Sequence, residues 1–264
     1  MNKIDTDYTL IKNQMLNSEN TERLAREKDW NNKRFENGTR EKVVKYYSVG
    51  ITYTLLNHLF AELKSGNSFF LEYGCGTGYY LTSISNKIKK GVGIDISDVS
   101  IEKARRIAEE SSIKNIDFFV MDAMNTTFSD EEFDMIHGKA ILHHLDLKLS
   151  LIEIKRILKK DGKAIFLEPL DTNPVIKLYR KLTPKARTAD EQPLRIKDIK
   201  IIKKIFPSTE IYYYSFLTLF SVPFRNTKLF PKILNILSFL DKIILNKYSP
   251  FKWLAWICIL IMKR

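Results

Sequence analysis

Three glycines at alternate positions, Gly74, Gly76 and Gly78, follow Phe69-Phe70-Leu71-Glu72-Tyr73, whose apolar and aromatic residues read as a buried strand with an acid near its end. A chain so rich in glycine turns sharply, and it lets a ligand touch backbone that a Cβ would otherwise cover. Spacing separates the ligand classes. A dinucleotide loop puts its third glycine three residues after the second, and here it comes two residues after. Glu72 points the same way, because a carboxylate at the strand end repels a polyanion and suits a cationic ligand carrying an amino group.

Further acids stand at the ends of the strands predicted next. Gly91 to Ser97 reads as a second strand, and Asp95 lies 17 residues beyond Gly78. In a doubly wound sheet that position puts a carboxylate beside the ribose of a bound nucleoside, where it accepts from both hydroxyls. The competing role is a helix N-cap, which Asp98 fills better for the helix Val99 to Glu110. A third strand, Ile116 to Met121, runs into Asp122-Ala123-Met124, where an acid and the next amide can meet an adenine edge, although Asp after a strand is also an ordinary turn former. Phe133 to His137 reads as the fourth strand, Leu149 to Leu158 as a helix closing at Asp161-Gly162, and Lys163 to Leu167 as the fifth strand, ending at Glu168-Pro169. Strands that alternate with helices in this way form a mostly parallel sheet, whose ligands bind at the carboxyl ends. Glu72, Asp95, Asp122, His137 and Glu168 all fall there.

Glu72-Tyr73-Gly74-Cys75-Gly76-Thr77-Gly78 resembles the first motif of the class I S-adenosylmethionine-dependent methyltransferases, of the small-molecule type found in ubiquinone and menaquinone biosynthesis. The resemblance covers residues 65–169 well and the last strand loosely. It implies a Rossmann-like, doubly wound sheet of seven strands, mostly parallel with the last antiparallel, and S-adenosyl-L-methionine as cofactor with no metal. On its terms Glu72, Gly74, Cys75, Gly76 and Gly78 form the donor loop, Asp95 meets the ribose, Ile96 beside it also binds the cofactor, and Asp122 and Ala123 meet the adenine. Phe133-Asp134 with the later Leu142-His143-His144 resembles the family's fourth motif, and His137 then borders the methyl group.

A sulfonium methyl is already activated, so the protein has mainly to hold a nucleophile in line with it. His143 is the candidate base, expected at a helix start facing the cofactor pocket, with His144 packing or capping. Lys139 to His143 also resembles the phosphoethanolamine methyltransferases, whose Asp four residues before the histidine is Lys139 here. Glu168 is the second candidate, either bonded to the substrate or orienting a loop.

Composition fits a globular chain, with 44% hydrophobic and 28% charged residues over 264 positions. Two cysteines, Cys75 and Cys258, make neither a disulfide framework nor a metal-ligand pattern. Met1 to Asp5 lacks the apolar core of a signal peptide, and the apolar run Trp253 to Met262 is about half of a membrane span, so the expected compartment is cytoplasmic. Three parts are expected: an N-terminal helical cap (1–66), lying on the sheet or over the cofactor mouth, a donor-binding core (67–169), and a C-terminal part (170–264) with strands at 211–220 and 253–262 around a helical insertion. Tyr46 and Tyr47 of the cap are either substrate contacts or core.

The net charge of +12 is unevenly placed: residues 1–169 are neutral, while residues 170–264 hold 18 Lys and Arg against 6 Asp and Glu. That excess is a solvated face, or it serves an anionic or lipid-like acceptor at a membrane surface, helped by the amphipathic helix expected over Leu229 to Leu245. Nucleic acid is the weakest reading, since no RNA-binding module accompanies the charge. The alternative to an enzyme is a non-catalytic nucleoside-binding module that docks on a membrane or a partner.

Overall fold

The computed structural model describes residues 18–36, 57–59, 63, 66–184, 187–188, 190–246 and 248–264. Helix α1 (Ser18–Glu36) precedes the sheet. Then come β1 (Phe69–Tyr73), α2 (Tyr79–Ser83), β2 (Lys90–Asp95), α3 (Asp98–Glu110), β3 (Ile116–Val120), β4 (Phe133–Lys139), α4 (Leu147–Ile157) and β5 (Leu158–Pro169). The last third supplies α5 (Pro174–Leu182), α6 (Ile196–Ile205), β6 (Glu210–Tyr214), α7 (Phe230–Ile244) and β7 (Ile257–Lys263). Tyr46 and Tyr47 lie outside the described residues, as does most of the helix expected over Arg40 to Leu63.

The seven strands form one sheet in the order β3-β2-β1-β4-β5-β7-β6. The first five are parallel, and β7 runs antiparallel between β5 and β6, as the sequence led us to expect. The order reverses beside β1, so β1 and β4 diverge and leave a crevice at their carboxyl ends. Alternate residues serve opposite faces. Cys258, Leu260 and Met262 of β7 pack with α4 and α6, while Ile257, Ile259 and Ile261 pack with α2 and α3.

Three elements depart from the sequence expectation, each for a local reason. Strand β6 ends at Tyr214 rather than 220, because Ser215 takes a positive φ of 63° and the amides of Phe216, Leu217 and Thr218 turn onto the Asp241 carboxylate. Residues Leu217–Phe224 then wind into 3-10 turns. Strand β7 starts at Ile257, since Ser249 caps a separate 3-10 turn over Pro250–Leu254. Strand β5 begins directly at the end of α4, and the expected stop at Asp161-Gly162 lies within it, at a register shift against β4.

Candidate active site

The glycine loop is folded back on the end of β2. The amides of Gly74 and Cys75 both donate to the Ile94 carbonyl, at 2.9 and 2.8 Å, and the Gly76 amide donates to Asp95 Oδ2 at 2.8 Å. Asp95 Oδ1 takes the Ser97 amide at 2.9 Å. Gly74 and Gly78 have positive φ of 73° and 68°. A Cβ on Gly74 would come within 2.8 Å of Ile141, and one on Gly78 within 2.6 Å of Phe118, so space and backbone both demand glycine.

Gly74, Gly76, Asp95, Ile96, Asp122 and Ala123 line one cleft, partly open to solvent, at the carboxyl ends of β1, β2 and β3. Asp122 Oδ1 accepts the Met124 amide at 2.8 Å, and burial raises its pKa against the opposing effects of that amide and of Arg23. The Tyr73 hydroxyl donates to the Ala123 carbonyl, tying the end of β1 to the loop after β3. Burial also raises the Tyr73 pKa well above its ordinary value, so the phenol keeps the proton that this bond requires.

Helix α1 forms the far wall of the cleft through Arg23, Glu27, Asn31 and Phe35. It is fastened along its length. Asn32 donates to Asp98 Oδ1 at 2.7 Å and accepts from the Ser97 hydroxyl at 2.6 Å, and Arg26 holds Asp190 at 3.1 Å with two N–H groups. Helix α1 thus stands at the cleft, within the stretch read from the sequence as a helical cap, and none of these cleft residues was legible in the sequence.

Four residues expected at the ligand stand behind the cleft wall. Glu72 is buried under the loop, where Oε2 accepts the Leu81 amide in the first turn of α2 at 3.1 Å. Cys75 and Gly78 are buried at the loop's base. His137 is fully buried, with its ring stacked on Tyr80 at 4.3 Å. Neither of its nitrogens has a hydrogen-bond partner among the described residues, and 3.9 Å to Glu72 is too long for one. Burial, helped by Lys139, lowers its pKa to about 3, so the ring is neutral and packs as an aromatic.

A family model described as a methyltransferase domain matches residues 64–210, more than half of the chain and the whole of this cleft apart from α1. The chain belongs to the methyltransferase-domain family. The uncharacterized methyltransferase YcgJ of Bacillus subtilis is 28% identical over 99 residues, 37% of this chain and 39% of that protein. A demethylmenaquinone methyltransferase of Staphylococcus saprophyticus is 33% identical over 126 residues, 46% of this chain and 53% of the relative. The chain thus spans about half, or less, of the length of the curated relatives it matches. The fold recurs in the crystal structure of YcgJ, with a TM-score of 0.56 and 16% identity over 81% of this chain and 99% of that one. It recurs also in the geranyl diphosphate C-methyltransferase of Streptomyces coelicolor, solved with Mg2+, geranyl diphosphate and S-adenosyl-L-homocysteine, with a TM-score of 0.57 and 14% identity over 79% of this chain and 77% of that one.

In this methyltransferase-domain chain the histidines following β4 divide their tasks. His144, not His143, reaches the cleft wall, with its ring 3.4 Å from Glu27 of α1. His143 turns inward: Nδ1 lies 2.6 Å from Glu168 Oε2, and Glu168 Oε1 takes the amides of Ile141 and Leu142 at 2.9 and 2.8 Å. The expected helix start is a 3-10 turn, Leu142–His144, entered through Ala140 at a φ of 57°. Its tighter winding separates the two rings differently from an α-helix.

Sequence reasoning also missed Glu191, whose Oε1 lies 4.0 Å from His143 Nε2 and takes Arg180 at 2.5 Å. Burial would raise the Glu191 pKa, but the imidazole of His143 and the Arg180 guanidinium outweigh it and hold the carboxyl below its ordinary range. His143, His144 and Glu191 bring one donor atom each within 4.8 Å of one another, a span that a metal ion could bridge. The Arg180 cation sits on the same Glu191 oxygen that faces His143 and opposes a second cation there.

Proposed function

We propose that the chain transfers the methyl group of S-adenosyl-L-methionine to an O, N or C nucleophile of a small acceptor, releasing S-adenosyl-L-homocysteine. One observation carries this reading: the glycine loop, Asp95 and Asp122 converge on a single cleft at the ends of three successive strands. Bare backbone at Gly74 and Gly76, a carboxylate for vicinal hydroxyls, and a carboxylate beside the Ala123 amide suit an adenosyl group. When bound, the donor supplies a methyl carbon already activated by the sulfonium.

The protein's own share is positioning, which can contribute about 7–11 kcal/mol of barrier lowering at best. Glu72 holds the loop to α2 rather than touching the ligand, and α1 shields the cleft from water. For an acceptor that arrives protonated we take His143 as the base, acting from behind the cleft wall: with its Nδ1 proton donated to Glu168, the nitrogen left to take a proton is Nε2, which faces Glu191 at 4.0 Å. Burial and the neighbouring His144 lower its pKa, with Glu168 offsetting part of this, so the imidazole is neutral at neutral pH.

Residues 67–169 are then the donor-binding core, and the flanking parts form the acceptor side. The charge of residues 170–264 and the prenyl or acidic acceptors in the names of its relatives, demethylmenaquinone, geranyl diphosphate and aklanonic acid, favour an anionic or lipid-like acceptor. Titration calorimetry with donor, demethylated product and NAD tests the assignment. Heat is expected from the first two alone, and turnover of a labelled methyl group then separates an enzyme from a binding module. Silence with both adenosyl compounds, or heat with NAD, overturns it.

A further inference from the structure

Among the described residues no helix is long and apolar enough to cross a membrane, yet the connection between β6 and β7 presents an apolar outer face. On the inner side of α7, Ile233 and Leu237 are half-buried, and Ile244 with Leu245 just beyond packs on the core. The outer side carries a second stripe at helical spacing, Ile236, Phe239, Leu240 and Ile243, of which Phe239 is 64% and Ile243 56% exposed. The turns before it add Phe220, Phe224 and Leu229, all exposed. A patch of this kind, concentrated in one connection, marks a surface that meets something apolar.

Charge says what. Arg225, Lys228, Lys232 and Lys242 are exposed around the stripe. From residue 211 to 264 the sequence contains one acid, Asp241. It is 6% exposed and points inward, accepting the amides of Phe216, Leu217 and Thr218 and the Thr218 hydroxyl. The outer face therefore carries no carboxylate of its own segment. A second copy would bring the same positive charge against it, and a nucleic acid would leave the phenylalanines and isoleucines uncovered. An anionic bilayer satisfies both features, because apolar side chains enter the headgroup boundary while the lysines meet lipid phosphates.

We propose that residues 217–252 dock this protein on anionic lipid, with the outer face of α7 and the turns of Leu217–Phe224 in the headgroup layer. The inference is independent of methyl transfer, although the geometry joins the two. The Leu170 amide donates to the Trp256 carbonyl at 2.7 Å and Asn173 Nδ2 to the Leu254 carbonyl at 2.5 Å. The chain just past the docking segment, at Leu254 and Trp256, is thus bonded to residues just beyond Glu168, on the side assigned to the acceptor.

Flotation of the full chain tests it, with vesicles of phosphatidylcholine alone or with a third replaced by phosphatidylglycerol, at low and at high salt. The wild type is expected to float with the anionic vesicles at low salt and to be released by high salt. Reversing Lys228, Lys232 and Lys242 to Glu should weaken binding about a hundredfold or more. Phe239→Ser with Ile243→Ser should weaken it about tenfold or more. Both sets alter exposed side chains, and an unchanged thermal melt confirms that each variant is folded. No flotation at low salt, binding indifferent to both variant sets, or a dimer abolished by the serine pair without any vesicle binding would each overturn the proposal.

Discussion

Asp95 Oδ2 accepts the backbone N–H of Gly76 at 2.8 Å, so the acid assigned to the ribose is also the clamp that closes the glycine loop onto β2. Its other oxygen holds the Ser97 amide, which fixes the carboxylate's orientation before any ligand arrives. Hydrogen bonds to a charged acceptor contribute about 1.5–3 kcal/mol each.

Asp95→Ala should therefore lower donor affinity about a hundredfold or more and also lower the melting temperature, since loop and ligand lose the same acceptor. Asp95→Asn keeps one oxygen in place and should lose less of both. Calorimetry paired with a thermal melt reads the two effects together, and unchanged affinity in the alanine variant would remove the ribose role.

The His143–Glu168 pair predicts a pH signature. Burial and His144 lower the His143 pKa, so its basic form persists below the ordinary imidazole range, and the acid limb of turnover should lie below about pH 6.5. Glu168 opposes that lowering, so Glu168→Gln should move the limb further toward acid as well as reducing turnover. His143→Ala should reduce turnover by about 10²–10⁴-fold with donor affinity intact. A wild-type pH–rate profile in Glu168→Gln would leave Glu168 a purely structural clamp.

His137, buried behind the cleft wall, makes stability pH-dependent. Its pKa falls from an ordinary 6.5 to about 3 on burial, so between those values the unfolded chain holds more protons than the folded one and stability declines as pH falls. The contribution is complete above about pH 6.5 and is lost progressively down to about pH 3. His137→Phe keeps the stack on Tyr80 and abolishes the titration. Urea unfolding should find the variant close to wild type at pH 8 and about 2 kcal/mol more resistant than wild type at pH 5, relative to pH 8. Parallel acid limbs for the two proteins would contradict the assignment.

The convergence of the glycine loop and two acids on one cleft was legible because it is local. The loop Gly74 to Gly78 and the acids Asp95 and Asp122 are encoded within a few residues of the strands that carry them, and strand ends converge by topology. The surroundings of the two histidines were not. Which histidine faces the cleft depends on the positive φ of Ala140 and on Glu168, 25 residues from His143, accepting two amides of the turn. Glu27 and Glu191 meet the histidines only through α1 and the strap after α5, and no spacing in the sequence announces either contact. Strand β6 was overdrawn for the same reason, because Asp241, which turns the chain away at Phe216, lies 25 residues downstream.

That carboxylate gives the last prediction. Asp241 replaces, in one buried side chain, the strand partners that residues 216–218 would otherwise need, with bonds to Leu217 at 2.7 Å, Phe216 at 3.1 Å and Thr218 at 3.2 Å. Asp241→Ala leaves three amides and the Thr218 hydroxyl without their acceptor, at a cost of about 3–5 kcal/mol. Asp241→Asn retains one carbonyl oxygen and should cost roughly half as much. The loss should be local first: hydrogen exchange should accelerate in α7 and Leu217–Phe224 before it does in β1 to β5, because the Asp241 bonds run to residues 216–218 and not to those strands. Uniform acceleration across the sheet, or an alanine variant as stable as wild type, would show that α7 is held by its apolar face alone.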